Sequence, residues 1–347
     1  MSDIREVLSG EEIAEVKIRE ILNEASLIED DKSSIDLKQF SKGYSNLTYL
    51  ISTENKEFVL RRPPLGAIKR GHDMAREYKI LSALNGHWNK VPEVYFFDDT
   101  QLLGVPFYIM ERVKGIIIRN EKRSESEFQQ IAETWLKTFV ELHNLDTEIL
   151  GLSDFGRPQG YVKRQVSNWS KQYIAAKTKE VDEAGFVMNW LAEHQVESED
   201  YSLIHNDFRY DNVVFKDQSF EQINAVLDWE MATIGDPLMD LGTTLGYWTV
   251  KSDPGFLQKG LPSSTIFPGN PGRSELVERY ALLTRRSVDH ILFYYIYGLF
   301  KIAVIAQQIF YRYQKGLTKD PKFKNLESAS EGLCKMAKYA IQKKRID

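Results

Sequence analysis

Two incompatible rhythms divide this chain, and any fold it adopts must house both. Between Ile35 and Glu111 the apolar residues fall in short runs: Ile35 to Phe40, Leu47 to Ser52, Glu57 to Arg61, Val94 to Phe97 and Phe107 to Glu111. Such runs, rich in β-branched and aromatic residues, predict strands. Glu54-Asn55 marks a hairpin turn, and Pro63-Pro64 ends the strand after it because proline cannot donate to a ladder. One stretch inside this region, 70–85, has helical spacing through Met74, Tyr78, Leu81 and Leu84, and the first 30 residues also read as a helix, with Ile13, Val16, Ile18, Ile21 and Leu22 on one face. From Ser124 the period changes. Ser124-x-x-Glu127 is a capping box opening a helix to His143, and further helices are predicted at about 161–177, 182–195, 286–312 and 328–343. Only three short strands interrupt them, Ser202 to Ile204, Val213 to Phe215 and Asn224 to Leu227. The expectation is an α+β chain of two lobes: an antiparallel-sheet lobe over 1–112 and a mainly helical lobe over 113–347, joined near Arg112 to Arg119.

Composition narrows the class. With 347 residues, 42% hydrophobic and 27% charged, the chain can bury one large core or two modest ones. Its first residues lack a basic stretch followed by an apolar one, and the most apolar run, Ile291 to Phe300, is too short to span a bilayer and runs into Lys301. A single cysteine, Cys334, excludes an internal disulfide and a thiolate cluster. These features predict a cytoplasmic protein with no structural metal, no membrane partner and no nucleic-acid partner; oligomeric state cannot be read. Charge is uneven: residues 241–347 hold 17 Lys and Arg against 8 Asp and Glu, within a formal net charge of −5. That surplus is either a solvated face or a match for an acidic partner.

The densest polar constellation is His205-Asn206-Asp207-Phe208-Arg209-Tyr210-Asp211-Asn212, wedged between two apolar strands and followed by Val226-Leu227-Asp228-Trp229-Glu230. Carboxylates just after buried strands are costly to desolvate, so they need a purpose. Phosphoryl transfer supplies one. It calls for a carboxylate to orient the attacking hydroxyl, and for a carboxylate with an amide or acid to hold Mg²⁺. The order His-x-Asp-x₄-Asn, then a later Asp, provides those groups. Each could instead be a turn former or helix cap.

The chain resembles the aminoglycoside phosphotransferase superfamily of the protein-kinase-like fold, and within it the kinase domains related to those fused to acyl-CoA dehydrogenases. The matching stretches, in order, are Ser45 to Tyr49, Phe58 to Pro64, His72 to Tyr78, Pro106 to Val113, His205 to Asn212, Val226 to Glu230 and Gly235 to Leu241. The resemblance implies a small-molecule kinase that uses ATP, or another nucleoside triphosphate, with Mg²⁺. In it Asp207 is the catalytic aspartate, and Asn212 and Asp228 hold the metal. Arg61 meets the α- and β-phosphates, with Glu77 as its helix partner. Met110, Glu111 and Val113 belong to the hinge reading adenine, and Gly43, Ser45 and Asn46 to the turn over the phosphates.

Three departures stand out. Only Gly43 punctuates the first turn, Arg61 replaces a lysine while Arg62 points to the opposite strand face, and Asn206 stands where relatives often have glycine. His205 is read as a structural histidine bonding the loop backbone, Asp240 as a brace of that loop, and the aromatic run Phe293 to Phe300 as core. Arg209 and Asp211 stay open between substrate contact and a loop salt bridge, and Glu77 between phosphate-grip partner and solvated helix residue. No Gly-x₄-Gly-Lys-Ser/Thr loop, Gly-x-Ser-x-Gly elbow or His-Glu-x-x-His pair is present, so those frameworks fit less well, and the lack of an Ala-Pro-Glu landmark disfavours protein-kinase activity. The basic surplus favours a small acidic acceptor, such as a hydroxy acid or hydroxyacyl-CoA, over a polycationic aminoglycoside. A catalytically silent nucleotide-binding module is the alternative from another class, and a true aminoglycoside kinase the alternative from the same one.

Overall fold

A computed structural model describes the chain except residues 1–3, 29–33, 42–45, 65–72, 262 and 319. It falls into two compact units, Met1–Gly115 with Asn224–Ala232, and Ile116–Ile223 with Thr233–Asp347.

The first unit is built on a six-stranded antiparallel sheet. Its strands are β1 (Ile4–Arg5), β2 (Asp36–Phe40), β3 (Leu47–Ser52), β4 (Glu57–Arg62), β5 (Val94–Asp99) and β6 (Pro106–Glu111), in the order β1-β2-β3-β4-β6-β5. The hairpin at Glu54-Asn55 forms as expected: Ser52 pairs with Glu57, and the Thr53 N–H donates to the Lys56 carbonyl at 2.8 Å. Alternation along β4 decides the two faces. Phe58 and Leu60 join Tyr49, Ile51, Phe107 and Ile109 in a core capped by Ile13, Ile18, Ile21 and Leu22. Val59 and Arg61 point the other way. The first 30 residues are not one helix. Among the described ones only α1 (Glu15–Glu24) is helical, and Val16 is exposed while Ile18, Ile21 and Leu22 are buried. The apolar spacing is real but spans only the stretch that faces the sheet. Helix α2 (Met74–Leu84) is capped by the Asp73 carboxylate, which accepts from the Arg76 N–H at 3.0 Å.

The second unit is mainly helical. Its helices are α3 (Glu125–His143), α4 (Tyr161–Ala176), α5 (Asp182–Glu193), α6 (Pro237–Tyr247), α7 (Gly255–Gly260), α8 (Arg273–Thr284), α9 (Ile291–Gln314) and α10 (Leu326–Lys343). The capping box at Ser124 and Glu127 is made in both directions. Short strands β7 (Ile116–Ile117), β8 (Ser202–Ile204), β9 (Val213–Phe215), β10 (Ile223–Val226, largely in the first unit) and β11 (Thr233–Gly235) complete the fold, with β7 paired to β9 and β8 to β11. Helix α9 runs on through Lys301 to Gln314, so it is long and apolar enough to cross a membrane, but its apolar window is 78% buried inside the protein. It is a core helix, crossing α6 at backbone contact. A Cβ on Gly298 would lie 1.9 Å from the Gly242 carbonyl oxygen, and one on Gly242 would lie 2.1 Å from that of Tyr294. Only glycine lets the two backbones approach this closely.

Candidate active site

In the first unit the chemistry collects around one guanidinium. Arg61, near the end of β4, directs Nη1 to Glu77 Oε1 of α2 at 3.2 Å and Nη2 to Asp228 Oδ1 at 3.2 Å, with Glu230 Oε2 at 3.7 Å. Arg62, on the other face, is taken up by structure: its Nη2 donates to the Tyr49 hydroxyl and the Glu11 carbonyl, both at 2.8 Å. Strand alternation thus separates the two arginines, and Arg61 is the one beside Asp228. Glu77 is buried, not a solvated helix residue. Burial pushes its carboxyl up and Arg61 pulls it back, while the surrounding carboxylates hold Arg61 firmly charged against its own burial.

Asp228 follows β10 in a left-handed conformation, φ 68° and ψ 63°. Its neighbours fix that turn. The Val226 N–H donates to the Lys90 carbonyl at 2.7 Å, and the Trp229 indole N–H to the Val226 carbonyl at 2.9 Å while its ring packs edge-on against Trp88. Asn46, of the expected phosphate turn, donates from Nδ2 to Glu230 Oε2 at 3.1 Å. Gly43 and Ser45 lie outside the described residues. Met110 ends buried in β6, whereas Glu111 and Val113 line a pocket of about 630 Å³ with Trp88, Val91 and Glu93. Three carboxylates around one guanidinium leave formal negative charge here, and Asp228 remains 36% exposed. Among the described residues, no group of three or more His, Cys, Asp and Glu side chains is arranged to hold a metal ion by itself.

In the second unit, Asp207 leaves the loop after β8. Its Oδ2 accepts from Asn212 Nδ2 at 2.8 Å, and the same nitrogen reaches the Asp207 carbonyl at 2.8 Å. The amide nitrogen of Asn212 is thus committed to Asp207, which leaves its amide oxygen as the atom to offer a metal. Arg209 makes the loop salt bridges that the sequence left open: Nε lies 3.1 Å from Asp207 Oδ1, Nη2 3.2 Å from Asp211 Oδ2, and the guanidinium stacks 4.5 Å over Tyr247. His205 bonds the loop backbone, its Nδ1 accepting from the Asp207 N–H at 3.2 Å.

Asp240, fully buried on α6, braces the loop as read from sequence. Its two oxygens accept from the backbone N–H of His205 at 2.6 Å and of Asn206 at 2.8 Å. Burial alone would raise this carboxyl, but the bond from His143 and the charges of His143, His205 and Lys301 carry it below its ordinary value. His143 Nε2 completes the contact at 3.2 Å, and its Nδ1 meets the Tyr280 hydroxyl at 2.8 Å. Sequence reasoning missed His143, Glu230 and Lys301. Lys301 carried one usable signal, a lone cation inside an apolar helical run.

The family model described as the phosphotransferase enzyme family matches residues 36–264. The chain belongs to the phosphotransferase enzyme family. Among curated relatives of this phosphotransferase, the human acyl-CoA dehydrogenase family member 11 is 33% identical over 328 residues, covering 91% of the chain and 41% of the relative. The chain therefore spans about two-fifths of that relative's length. Among solved structures, a Ralstonia eutropha protein named as a candidate aminoglycoside phosphotransferase superposes with a TM-score of 0.76 at 27% identity, covering 93% of this chain and 98% of that one. A thermostable variant of the aminoglycoside phosphotransferase APH(4)-Ia, solved with ADP and hygromycin B, gives 0.56 at 16% identity over 92% and 96%, a likeness of fold alone. The phosphotransferase therefore has the kinase-like α+β fold that the motif order implied.

Proposed function

We propose that the chain is a small-molecule kinase that moves the γ-phosphate of ATP, with Mg²⁺, to a hydroxyl of an acidic acceptor such as a hydroxy acid or a hydroxyacyl-CoA. The observation that carries the phosphoryl-transfer reading is the Asp207 carboxylate held by Asn212 at 2.8 Å on a loop whose backbone is clamped by Asp240. A carboxylate so fixed can align an incoming hydroxyl and take its proton as the bond to phosphorus forms. Asn212 and Asp228 are the proposed Mg²⁺ ligands; the bound ion would neutralise charge on the phosphates. Arg61, with Glu77 fixing its guanidinium, is the proposed phosphate grip. Asn46 with Gly43 and Ser45, and Met110, Glu111 and Val113, are the proposed nucleotide contacts.

Two observations support an acidic acceptor. The basic surplus of residues 241–347 lies in the unit that carries Asp207, which as a whole is neutral with 29 Lys and Arg against 29 Asp and Glu, and the human relative is by name an acyl-CoA dehydrogenase family member. Turnover of Mg·ATP should be measured with a panel of hydroxyacyl-CoAs, hydroxy acids and aminoglycosides. Selective phosphorylation of a hydroxy acid or its thioester is expected. Selective use of an aminoglycoside would refute the acceptor class, and absence of both ATP binding and turnover would refute the kinase reading.

A further inference from the structure

Lys301 is out of place in its own helix. It lies in the run Phe293 to Val304 of α9, every member of which is buried, and it is itself 1% exposed. An ammonium in such surroundings has lost its water, and it persists only where something polar takes its protons. Here the partner is one residue of the catalytic loop. Nζ donates to the Asn206 carbonyl at 2.7 Å and to the Asn206 side-chain Oδ1 at 3.1 Å, with Thr243 Oγ1 at 3.5 Å.

The peptide that receives this bond is the one joining Asn206 to Asp207. Its N–H end goes to His205 Nδ1, and its carbonyl end goes to Lys301. The N–H groups of the two preceding peptides go to Asp240. Asn206 itself sits at φ 68°, a left-handed conformation disfavoured for any residue with a Cβ. A strained residue directly before the proposed catalytic aspartate is therefore gripped by an acid from α6 and a base from α9. These are the two helices whose glycines lock them at backbone contact.

We propose that Lys301 is a positioning residue for phosphoryl transfer, holding the Asn206–Asp207 peptide so that the Asp207 carboxylate points at the acceptor hydroxyl. The inference rests on the kinase reading above. The groups facing Nζ are the carboxylates of Asp240 on α6 and Asp207 on the loop, the Trp169 ring of α4 at 5.9 Å, and Asn206, whose own amide donates to the Tyr161 hydroxyl of α4 at 3.2 Å. Burial lowers the ammonium to about 8, against the pull of Asp240 and Asp207. The charged donor is therefore present below pH 8 and lost as pH rises through that value. Tyr161 is shifted upward and His143 downward, so neither changes charge in that window.

The test compares wild type with Lys301→Met, using Mg·ATP with water as acceptor. Steady-state hydrolysis gives kcat and KM, and thermal shift reports nucleotide binding and stability. The expected loss is roughly 10- to 100-fold in kcat, the scale of a small misplacement of a reacting group, with KM for ATP nearly unchanged. Wild-type kcat should fall as pH rises from 7 to 9.5, and that limb should vanish in Lys301→Met. An active wild type with unchanged kcat in the variant would overturn the positioning role alone, as would a change confined to KM. If the variant does not fold, the wild-type profile decides, and a kcat that is flat across pH 7 to 9.5 overturns the proposal. A wild type that neither binds nor hydrolyses Mg·ATP overturns the kinase reading, and the proposal with it.

Discussion

Replacing Asp240 with asparagine changes one oxygen for an NH₂ at a site where three donors converge. In the native loop its carboxylate accepts from the backbone N–H of His205 at 2.6 Å, that of Asn206 at 2.8 Å and His143 Nε2 at 3.2 Å, with no solvent access. The amide in Asp240→Asn can turn its single oxygen to one backbone donor, but its NH₂ then faces the other. A charge-assisted bond is worth about 1.5–3 kcal/mol and a stranded buried donor costs about 1–3 kcal/mol, so the variant should lose roughly 3–5 kcal/mol. At roughly 2–4 °C per kcal/mol for a unit of this size, the melting temperature should fall by about 10 °C. Urea unfolding followed by tryptophan fluorescence suits the measurement, because Trp135 and Trp248 lie in the aromatic cluster with Phe208 of the loop. The sign with pH is fixed as well. The folded-state pKa of Asp240 is depressed, so its stabilisation is fully present above the unfolded value near 3.9 and is lost as pH falls through the folded one. The gap between wild type and variant should be complete at pH 7 and close in acid. A loss under about 1 kcal/mol at pH 7 would refute Asp240 as the anchor of the loop.

Three further outcomes are expected. Asp207→Ala should reduce turnover with the identified acceptor by roughly 10²–10⁴-fold, with Mg·ATP binding retained in thermal shift. Arg61→Met removes the cation beside the buried Glu77 and should cost about 3–5 kcal/mol at pH 7. The carboxyl of Glu77, already raised by burial, then takes up a proton more readily, so the deficit in a pH series of melting curves should shrink as pH falls. Gly298→Ala would drive a methyl into the Gly242 carbonyl and force α6 and α9 apart, costing about 3 kcal/mol in urea unfolding.

Much of this fold can be read from the sequence where local physics and final packing agree. Strands β3, β4 and β6 read as short apolar runs because both of their faces are largely covered, and the capping box at Ser124 is a local bond that needs no tertiary partner. The loop from His205 to Asn212 is legible for the opposite reason: its polar residues between apolar strands break the pattern. What stayed hidden depends on contacts far apart in sequence. Val16 belongs to the periodic set of α1 yet faces solvent, because only the sheet decides which side of a short helix is covered. Glu230 reaches Arg61 across 169 positions and His143 reaches Asp240 across 97, and no window on the sequence spans either. Lys301 looked like the polar end of an apolar run, when it is a buried member of a longer one.

The nine residues Asn224–Ala232 belong to the first unit although the chain on both sides of them belongs to the second. The polypeptide must therefore change unit three times, and no single cut yields either unit entire. A fragment ending near Gly115 would keep Arg61 and Glu77 but forfeit Asp228 and Glu230, and with them two of the three acids around that guanidinium. Its sheet would also lose the Trp229 ring that packs on Trp88. Such a fragment should behave as an incomplete body, prone to aggregation and rapid proteolysis. Neither unit can then be moved into or out of a longer polypeptide as one uninterrupted piece.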